Sequence, residues 1–562
     1  MGKKVSENIL RGKKAKKEII AGINILSNII GDTLGPRGRN VIIDKSLDYP
    51  LITNDGASIA KEIFLKEPFK DIGLNILKEA SLKTNELMGD STTTAIVLAD
   101  SILKHGKKYL KNGKNPNLLK DEFLNIFKES EKFLESISKT KITPEDIKNL
   151  AYISSGNKEY ANILKEIFEK GDLNSCFVKE GTYNKTKYII EEGIMIENGL
   201  ISPYLNTDNL KNVEIQNPYI LIFDGKFEGI KNILNILEDI KKENENILVI
   251  AKDFSKEAVK TIVYNNVNNI LNIYAVKMPE YFDETKDFFM DLKTVLDSNI
   301  YTSNDSLLNL EKKDLVKVKS VRVDKERTYI LKEKDDKNLQ DLDIKTKKVK
   351  EKELEKKKNE ILEEIKKSKD KSKKERLKKR LSIYDSKISV IELKDQPDAE
   401  KKNSILKLED AIGTSLSAIK GGALEGGGLA FLKLSKYLEE KRKLEIKNRK
   451  DKTNKQNKYK NKEEFKIYLD ALKILSKALK EPFKRIVLNS GKNPKKIYKE
   501  IKKNNFTKGF DANNFEFVNM IEKGIIDSRL SQLTALENAI SISSMILTMS
   551  SVIYRNLDYD ID

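Results

Sequence analysis

Cysteine and histidine are almost absent from this 562-residue chain, which holds one of each, Cys176 and His105. A lone cysteine has no partner within the chain for a disulfide, and neither a histidine-rich nor a cysteine-based zinc site can be assembled. A Ser-His-Asp arrangement would have to use His105. That residue falls with Leu98, Ile102 and Tyr109 on one helical stripe and therefore reads as packed or half-buried. Long apolar runs are also missing. No stretch approaches the ~18 residues that cross a bilayer, and the start Met1-Gly2-Lys3-Lys4-Val5-Ser6 lacks the apolar core of a signal peptide, so a soluble, non-secreted chain is expected. The same six residues match an N-myristoylation pattern, a short match read here as chance. No Gly-x-x-x-x-Gly-Lys-Ser/Thr occurs either, and the glycines between Gly421 and Gly428 lack the lysine and hydroxyl that hold phosphates and magnesium. A P-loop enzyme is excluded. Chemistry must rest on carboxylates, hydroxyls, backbone amides and a metal bound through oxygen.

What is present is material for several domains. At ~150 residues per domain the length suggests about four compact units, and 39% hydrophobic against 34% charged residues leaves enough apolar matter for real cores. Lys plus Arg number 106 and Asp plus Glu 87, a net +19. The basic residues are spread along the chain among acids rather than organised around aromatics, so the excess reads as the codon bias of an AT-rich genome. A nucleic-acid-binding protein is the rival that this charge motivates; the expectation is no specific nucleic acid and no membrane.

Ile19, Ile23, Leu26 and Ile30 recur at helical spacing up to Gly35-Pro36, where a helix must stop. Val41-Ile42-Ile43 and Leu51-Ile52-Thr53 read as strands, and Asn54-Asp55-Gly56 as a turn into a further helix. Leu74 to Leu87 is helical and breaks at Gly89. Asp90-Ser91-Thr92-Thr93-Thr94 then opens an apolar helix from Ala95 to about Leu110, with the residue types that satisfy orphan amides at a helix start. Between Phe177 and Ile250 strands such as Tyr219 to Phe223 and Ile247 to Ile250 alternate with helical patterns, which predicts an inserted α/β module. Lys350 to Arg380 predicts an exposed, solvated two-helix hairpin, and Lys441 to Lys462 a flexible surface loop. From Ile405 the chain is helical again, and Leu533, Leu536, Ile540 and Leu547 form one buried stripe of a long helix.

Asp90 to Thr94 offers helix-start amides, hydroxyls and a carboxylate able to hold Mg²⁺, although the plainer reading is an N-cap with a Thr-rich first turn. Other loops resolve that choice. Thr33-Leu34-Gly35-Pro36-Arg37-Gly38-Arg39-Asn40, Leu51-Ile52-Thr53-Asn54-Asp55-Gly56, Gly89 to Thr94, Glu409-Asp410-Ala411, Glu425-Gly426-Gly427-Gly428 and Asn519-Met520-Ile521 to Gly524-Ile525-Ile526-Asp527 resemble, in order, the nucleotide-binding loops of the group I chaperonins, the GroEL type. The resemblance covers nearly the whole chain.

It implies an α+β multidomain fold: a helical equatorial domain from both chain ends (1–136 and 421–562), a small hinge domain (137–191 and 389–420) and an inserted α/β apical domain (192–388). It implies ATP and Mg²⁺ as cofactors, with K⁺ as an accessory ion. Thr33, Leu34, Gly35 and Pro36 would approach the nucleotide, as would Asn54. Asp90, Ser91, Thr92, Thr93 and Thr94 would bind phosphates, Asp90 holding the metal. Gly427 would pass close to ribose or base, Asp511, Ala512 and Asn513 would lie near adenine, and Asp527 would accept from the ribose. Asp410 would orient the attacking water with Asp55 assisting, a task of positioning that needs no covalent nucleophile.

Ile201, Tyr204, Leu205, Leu234, Leu237, Val259, Val263 and Tyr264 fall where the family exposes an apolar rim for unfolded polypeptides and a GroES-like co-chaperonin. Taken singly each reads as core; grouped, they read as a binding surface. The resemblance further implies a heptameric ring, single or double, in a bacterial-type cytoplasm, since the family segments start too early to leave room for a transit peptide. An organelle stroma or matrix is the alternative. Three departures stand out. Ser91 replaces the family's glycine, which carries an expectation of weaker binding or slower hydrolysis and motivates a rival reading as a passive holdase. Asn54 stands where some members have lysine. The chain ends Asn556-Leu-Asp-Tyr-Asp-Ile-Asp rather than in a Gly-Gly-Met tail.

Overall fold

A computed structural model describes residues 9–45, 48–110, 114–205, 212–278, 285–308, 310–332, 343–368, 370–384, 387–450 and 461–554. The chain divides into two units, one of Met1–Leu173, Val178–Lys187 and Leu393–Asp562, the other of Asn174–Phe177 and Tyr188–Glu392. Of the segments expected to form the hinge, 137–173, 178–187 and 393–420 fall in the first and 174–177, 188–191 and 389–392 in the second.

The first unit begins with strand β1 (Ile9–Arg11) and helix α1 (Gly12–Gly31), whose Ile19, Ile23, Leu26 and Ile30 are fully buried. The expected hairpin follows as β2 (Val41–Lys45) and β3 (Asp48–Thr53), antiparallel with Ile42 opposite Ile52. Then come α2 (Gly56–Glu62), α3 (Pro68–Met88), α4 (Thr92–Leu110) and α5 (Pro116–Ser136). On α4, Leu98, Ile102 and Tyr109 are buried and His105 is half-buried, as its stripe predicts. Burial, reinforced by Lys477, Lys108 and Lys484, pushes the His105 imidazole down to about 4, so it is neutral near pH 7. The next helices, α6 (Pro144–Ser155) and α7 (Lys158–Lys170), are set by local chemistry. Thr143 and Asp146 form a reciprocal capping box, Pro144 occupies the first turn, and Gly156 closes α6 in the left-handed region at φ 68°.

The second unit contains the α/β module. Its parallel strands β4 (Tyr219–Phe227), β5 (Ile247–Phe254) and β6 (Ile273–Lys277) pair with Leu221 opposite Val249 and Val249 opposite Ala275. Alternate side chains go to opposite faces. Ile220, Ile222, Leu248, Ile250 and Val276 enter one core; Leu221, Phe223, Val249, Ala251 and Ala275 enter another. Burial on both faces explains why these strands read as unbroken apolar runs. Helices α8 (Leu234–Lys242) and α9 (Lys256–Val267) pack on the second core, and α10 (Thr285–Leu296) on the first, through Phe288, Phe289 and Leu292. A six-stranded sheet runs 176–180, 387–393, 187–196, 328–331, 320–323, 213–216.

The Lys-rich hairpin is present as α11 (Asp343–Lys367) and α12 (Lys371–Tyr384), but it is anchored rather than simply solvated. Ile361, Leu377 and Ile383 are buried. Arg380 forks onto the buried Asp291 (Nε to Oδ2 2.7 Å, Nη2 to Oδ1 3.1 Å), and the Tyr384 hydroxyl donates to the same carboxylate at 2.6 Å.

The chain returns to the first unit with α13 (Asp398–Gly421), α14 (Leu429–Lys450), α15 (Lys462–Ala478), α16 (Glu481–Asn489), α17 (Pro494–Lys503) and α18 (Arg529–Thr548). The loop expected over 441–462 is a correction. α14 continues to Lys450 because its charged stems are used: Arg442 donates to the Leu469 carbonyl at 3.1 Å and Arg449 covers the Phe465 ring. Residues 451–460 lie outside the described residues. On α18, Leu533, Leu536, Ile540 and Leu547 are buried in the core shared with α1, α3, α4 and α15.

Candidate functional site

The Thr-rich segment sits at the start of α4. Ser91 precedes the helix with φ 71°, and its carbonyl accepts the Ala95 amide at 2.9 Å, the first helical bond. Left-handed backbone at a residue with a side chain costs about 1–3 kcal/mol, which is why glycine suits this place. The Ser91 amide donates to its neighbour Asp90, and the buried Gln532 amide donates to Ser91 Oγ at 3.5 Å. Thr92 and Thr94 are buried and Thr93 half-buried. Amides of this first turn lack intrahelical partners, and the positive end of the helix dipole favours an anion there.

Beside it lies the start of α2. Gly56 packs so closely that a Cβ there would stand 2.4 Å from Thr93 Oγ1. Asp55 caps α2, accepting from the Ala57 amide at 3.2 Å and the Ser58 amide at 2.7 Å. Its neighbour Asn54 is exposed. Asp410 reaches the same place on α13. A Cβ on Gly89 would meet Gly413 Cα at 2.8 Å and the Asp410 carbonyl at 3.1 Å, so only glycine lets this helix ride directly on the loop before α4.

Three carboxylates, Asp90, Asp55 and Asp527, gather here. Burial raises Asp90 above the usual range and Asp55 adds to the rise. Asp527, in the strand Ile526–Ser528 opposite Leu424, is pushed up to about 7 by burial and by Asp90. Both keep partial solvent access, as groups lining a cleft do. Carboxylates in this situation are relieved by a proton or a hard cation. Among the described residues no three ligating side chains form a metal cage. Mg²⁺ would fit there as an ion that Asp90 shares with oxygens from a ligand and water, the way this metal is usually held.

The remaining candidates lie on other loops of the first unit. Thr33 is buried with its hydroxyl donating to the Ile30 carbonyl at 2.8 Å; Leu34 is half-buried, and Gly35 and Pro36 are exposed. Asn489 on α16 donates to the carbonyls of Gly31 and Leu34, both at 2.9 Å. Gly427, at φ 63°, lies within 3.7 Å of the Phe510 carbonyl, measured from where its Cβ would be. Asp511 ends the strand Gly509–Asp511 with its carboxylate spent on the turn, accepting from the Asn513 amide at 2.9 Å and the Asn514 side chain at 2.9 Å. Ala512 is buried and Asn513 exposed.

In the second unit the rim candidates divide. Leu205 and Leu237 are 1% exposed and belong to the core beneath; Ile201, Val259 and Val263 are half-buried against it. Tyr204, Leu234 and Tyr264 are exposed, at 74%, 43% and 63%. In this conformation those three face solvent while Leu205 and Leu237 do not. Sequence reasoning assigned no role to Gln532, Asn489 or Arg37. The first two carry no local signal, and Arg37 lies in the loop from Thr33 to Asn40.

The chain matches the TCP-1/cpn60 chaperonin family over residues 26–556. It is 34% identical over 561 residues to the Chaperonin GroEL of Acholeplasma laidlawii (strain PG-8A), covering 99% of this chain and 98% of that protein. Chaperonin gp146 from the bacteriophage EL 2 (Pseudomonas aeruginosa), crystallised in the presence of ATP-BeFx, superposes with a TM-score of 0.72 at 17% identity over 98% of this chain and 99% of its own. A second crystal form of gp146 gives 0.64. At that identity the likeness speaks for the fold; family membership rests on the sequence, and the chain belongs to the TCP-1/cpn60 chaperonin family.

Proposed function

We propose that this chaperonin is an ATP-driven folding machine of the GroEL type, assembled as a heptameric ring, single or double, and working with a GroES-like lid. The observation that carries the reading is the convergence of Asp90 to Thr94, Asp55, Asp527 and the Asp410-bearing helix at one end of one unit. Mg-ATP would supply the transferable phosphoryl group. The chain's own part is to position and to move one proton. Asp410 orients the attacking water and takes its proton, and Asp55, fixed as the cap of α2, assists. The amides of Thr92 to Thr94 face the phosphates, Asp90 holds Mg²⁺, and Asp527 accepts from the ribose. K⁺ is an accessory ion. Thr33 to Pro36, Asn54, Gly427 and Asp511 to Asn513 complete the nucleotide's surroundings.

Non-native polypeptides would be held by Tyr204, Leu234 and Tyr264, with Ile201, Val259 and Val263 behind them, and released as the nucleotide state changes. Leu205 and Leu237 would join only if that surface rearranged. Self-association is supported by the outward pair Ile42 and Ile52, 70% and 57% exposed on one hairpin, an apolar patch that a neighbouring copy would cover. A bacterial-type cytoplasm, or an organelle stroma or matrix, is the proposed setting; no described helix is long and apolar enough to cross a membrane.

Native mass by light scattering after size exclusion, with and without Mg-ATP, tests the reading alongside phosphate release. Seven or fourteen subunits with steady turnover support it. A monomer under both conditions sinks the chamber. A ring without turnover leaves the passive holdase, the reading that the left-handed Ser91 favours.

A further inference from the structure

The proposed base pocket has two walls drawn from opposite ends of the chain, and the Arg37 side chain ties one to the other. Arg37 Nε donates to the Ala512 carbonyl at 3.0 Å and Nη2 donates to the Asn513 carbonyl at 2.8 Å. Its guanidinium carbon lies 4.2 Å from the centroid of the Phe515 ring, and Lys492 Nζ approaches the same ring at 4.3 Å. Each wall is stiff before the tie is made. The turn from Asp511 is held by its own carboxylate and by the Phe515 amide donating to the Asp511 carbonyl at 2.8 Å, with Phe515 at φ 63°. The other loop is held by Asn489 through two carbonyls. What neither loop fixes by itself is the gap between Pro36 and Ala512.

We infer that Arg37 is a positioning residue for a purine nucleotide base, setting the width of the slot between the Pro36 backbone and the Ala512–Asn513 turn. The inference rests on the ATP reading of the site and adds to it a residue that touches no ligand. The planar guanidinium places two donors in a fixed fork while its face lies on Phe515; a lysine has one flexible ammonium and can do only part of this. A slot held at its working width spares the ligand the ordering of two loops, so the gain appears in binding and not in the chemical step.

The test uses the full chain as wild type, Arg37→Ala, Arg37→Lys and Phe515→Leu, with KM and kcat for ATP and the inhibition constant of tripolyphosphate, which has the phosphates but no base. Arg37→Ala is expected to raise KM for ATP about 10-fold with kcat within twofold of wild type and tripolyphosphate inhibition unchanged. Arg37→Lys should fall between, and Phe515→Leu should shift KM the same way by less. A KM unchanged in Arg37→Ala and Phe515→Leu overturns the inference alone. Equal weakening toward ATP and tripolyphosphate also overturns it, since that marks general loosening of the unit. A wild type that binds no ATP overturns the nucleotide reading, and this inference with it.

Discussion

The two units hold their candidate functional residues by different means. In the first, polar groups are fixed by backbone: Asp55 by the cap of α2, Asp511 by its turn, Asp90 by the amide of Ser91, and Asp410 by a glycine-on-glycine contact. In the second, the candidates are apolar, and packing alone decides which face solvent. Adjacent residues there have opposite fates: Tyr204 is 74% exposed and Leu205 is 1% exposed. A site built on backbone geometry leaves motifs in the sequence, because few residue types satisfy a left-handed turn or a close helix approach. A surface built on burial leaves only composition.

The sharpest way to break the comparison is at Asp410. If the first unit is a positioned catalytic frame, Asp410→Ala should cut the steady rate of phosphate release by ~100-fold or more while leaving ATP affinity and the unfolding midpoint near wild type. Equal loss of affinity would instead make Asp410 part of the binding surface.

Much of this frame is legible in the sequence. The helix starts at Gly56 and Thr92, the hairpin that precedes them and the buried stripe on α18 all follow from caps, turns and periodicity. Three things are not. Gln532 reaches Ser91 across 441 residues of chain, a contact that no local pattern encodes. Asp511 closes its own turn with its carboxylate, a choice of hydrogen bond that spacing cannot reveal. Leu205 and Leu237 look like their exposed neighbours by type, and only the packing of 203–205, α8 and α9 over the parallel sheet separates them.

That last point gives the second test. Leu237→Ala should cost about 2–5 kcal/mol of stability in chemical denaturation, because it empties a filled core. Leu234→Ala should stay within about 0.5 kcal/mol yet weaken capture of an unfolded polypeptide. If both variants were equally mild, the two leucines would share one surface and the division made here would fail.

Asp527 sharpens the contrast through pH. Its carboxyl is raised from 3.8 to about 7 in the folded chain. The native state therefore keeps a proton that the unfolded chain has already lost, and this group's contribution to stability is present below about 4 and disappears as pH rises through 7. Asp527→Asn cannot ionise. Thermal unfolding of the ligand-free protein from pH 5 to 8 should show a gain for the variant that grows toward pH 8. A gain independent of pH would assign the effect to packing.

The smallest expected effect lies at Ser91, where a backbone demand and a side chain coexist. Glycine at this position would lose the 3.5 Å contact with Gln532 but adopt φ 71° without a Cβ in the way. The contact is long and neutral, worth ~0.5 kcal/mol or less. The strain it replaces is about 1 kcal/mol at the low end of its range. Strain wins, so Ser91→Gly should raise the denaturation midpoint by an amount equivalent to about 0.5–1 kcal/mol and speed phosphate release modestly. Ser91→Ala is the control, since it keeps the strain and loses only the contact, and it should be slightly less stable than wild type. A glycine variant no more stable than the alanine one would mean that Gln532, and not the backbone, holds the loop. The first unit would then depend on side-chain packing as the second does.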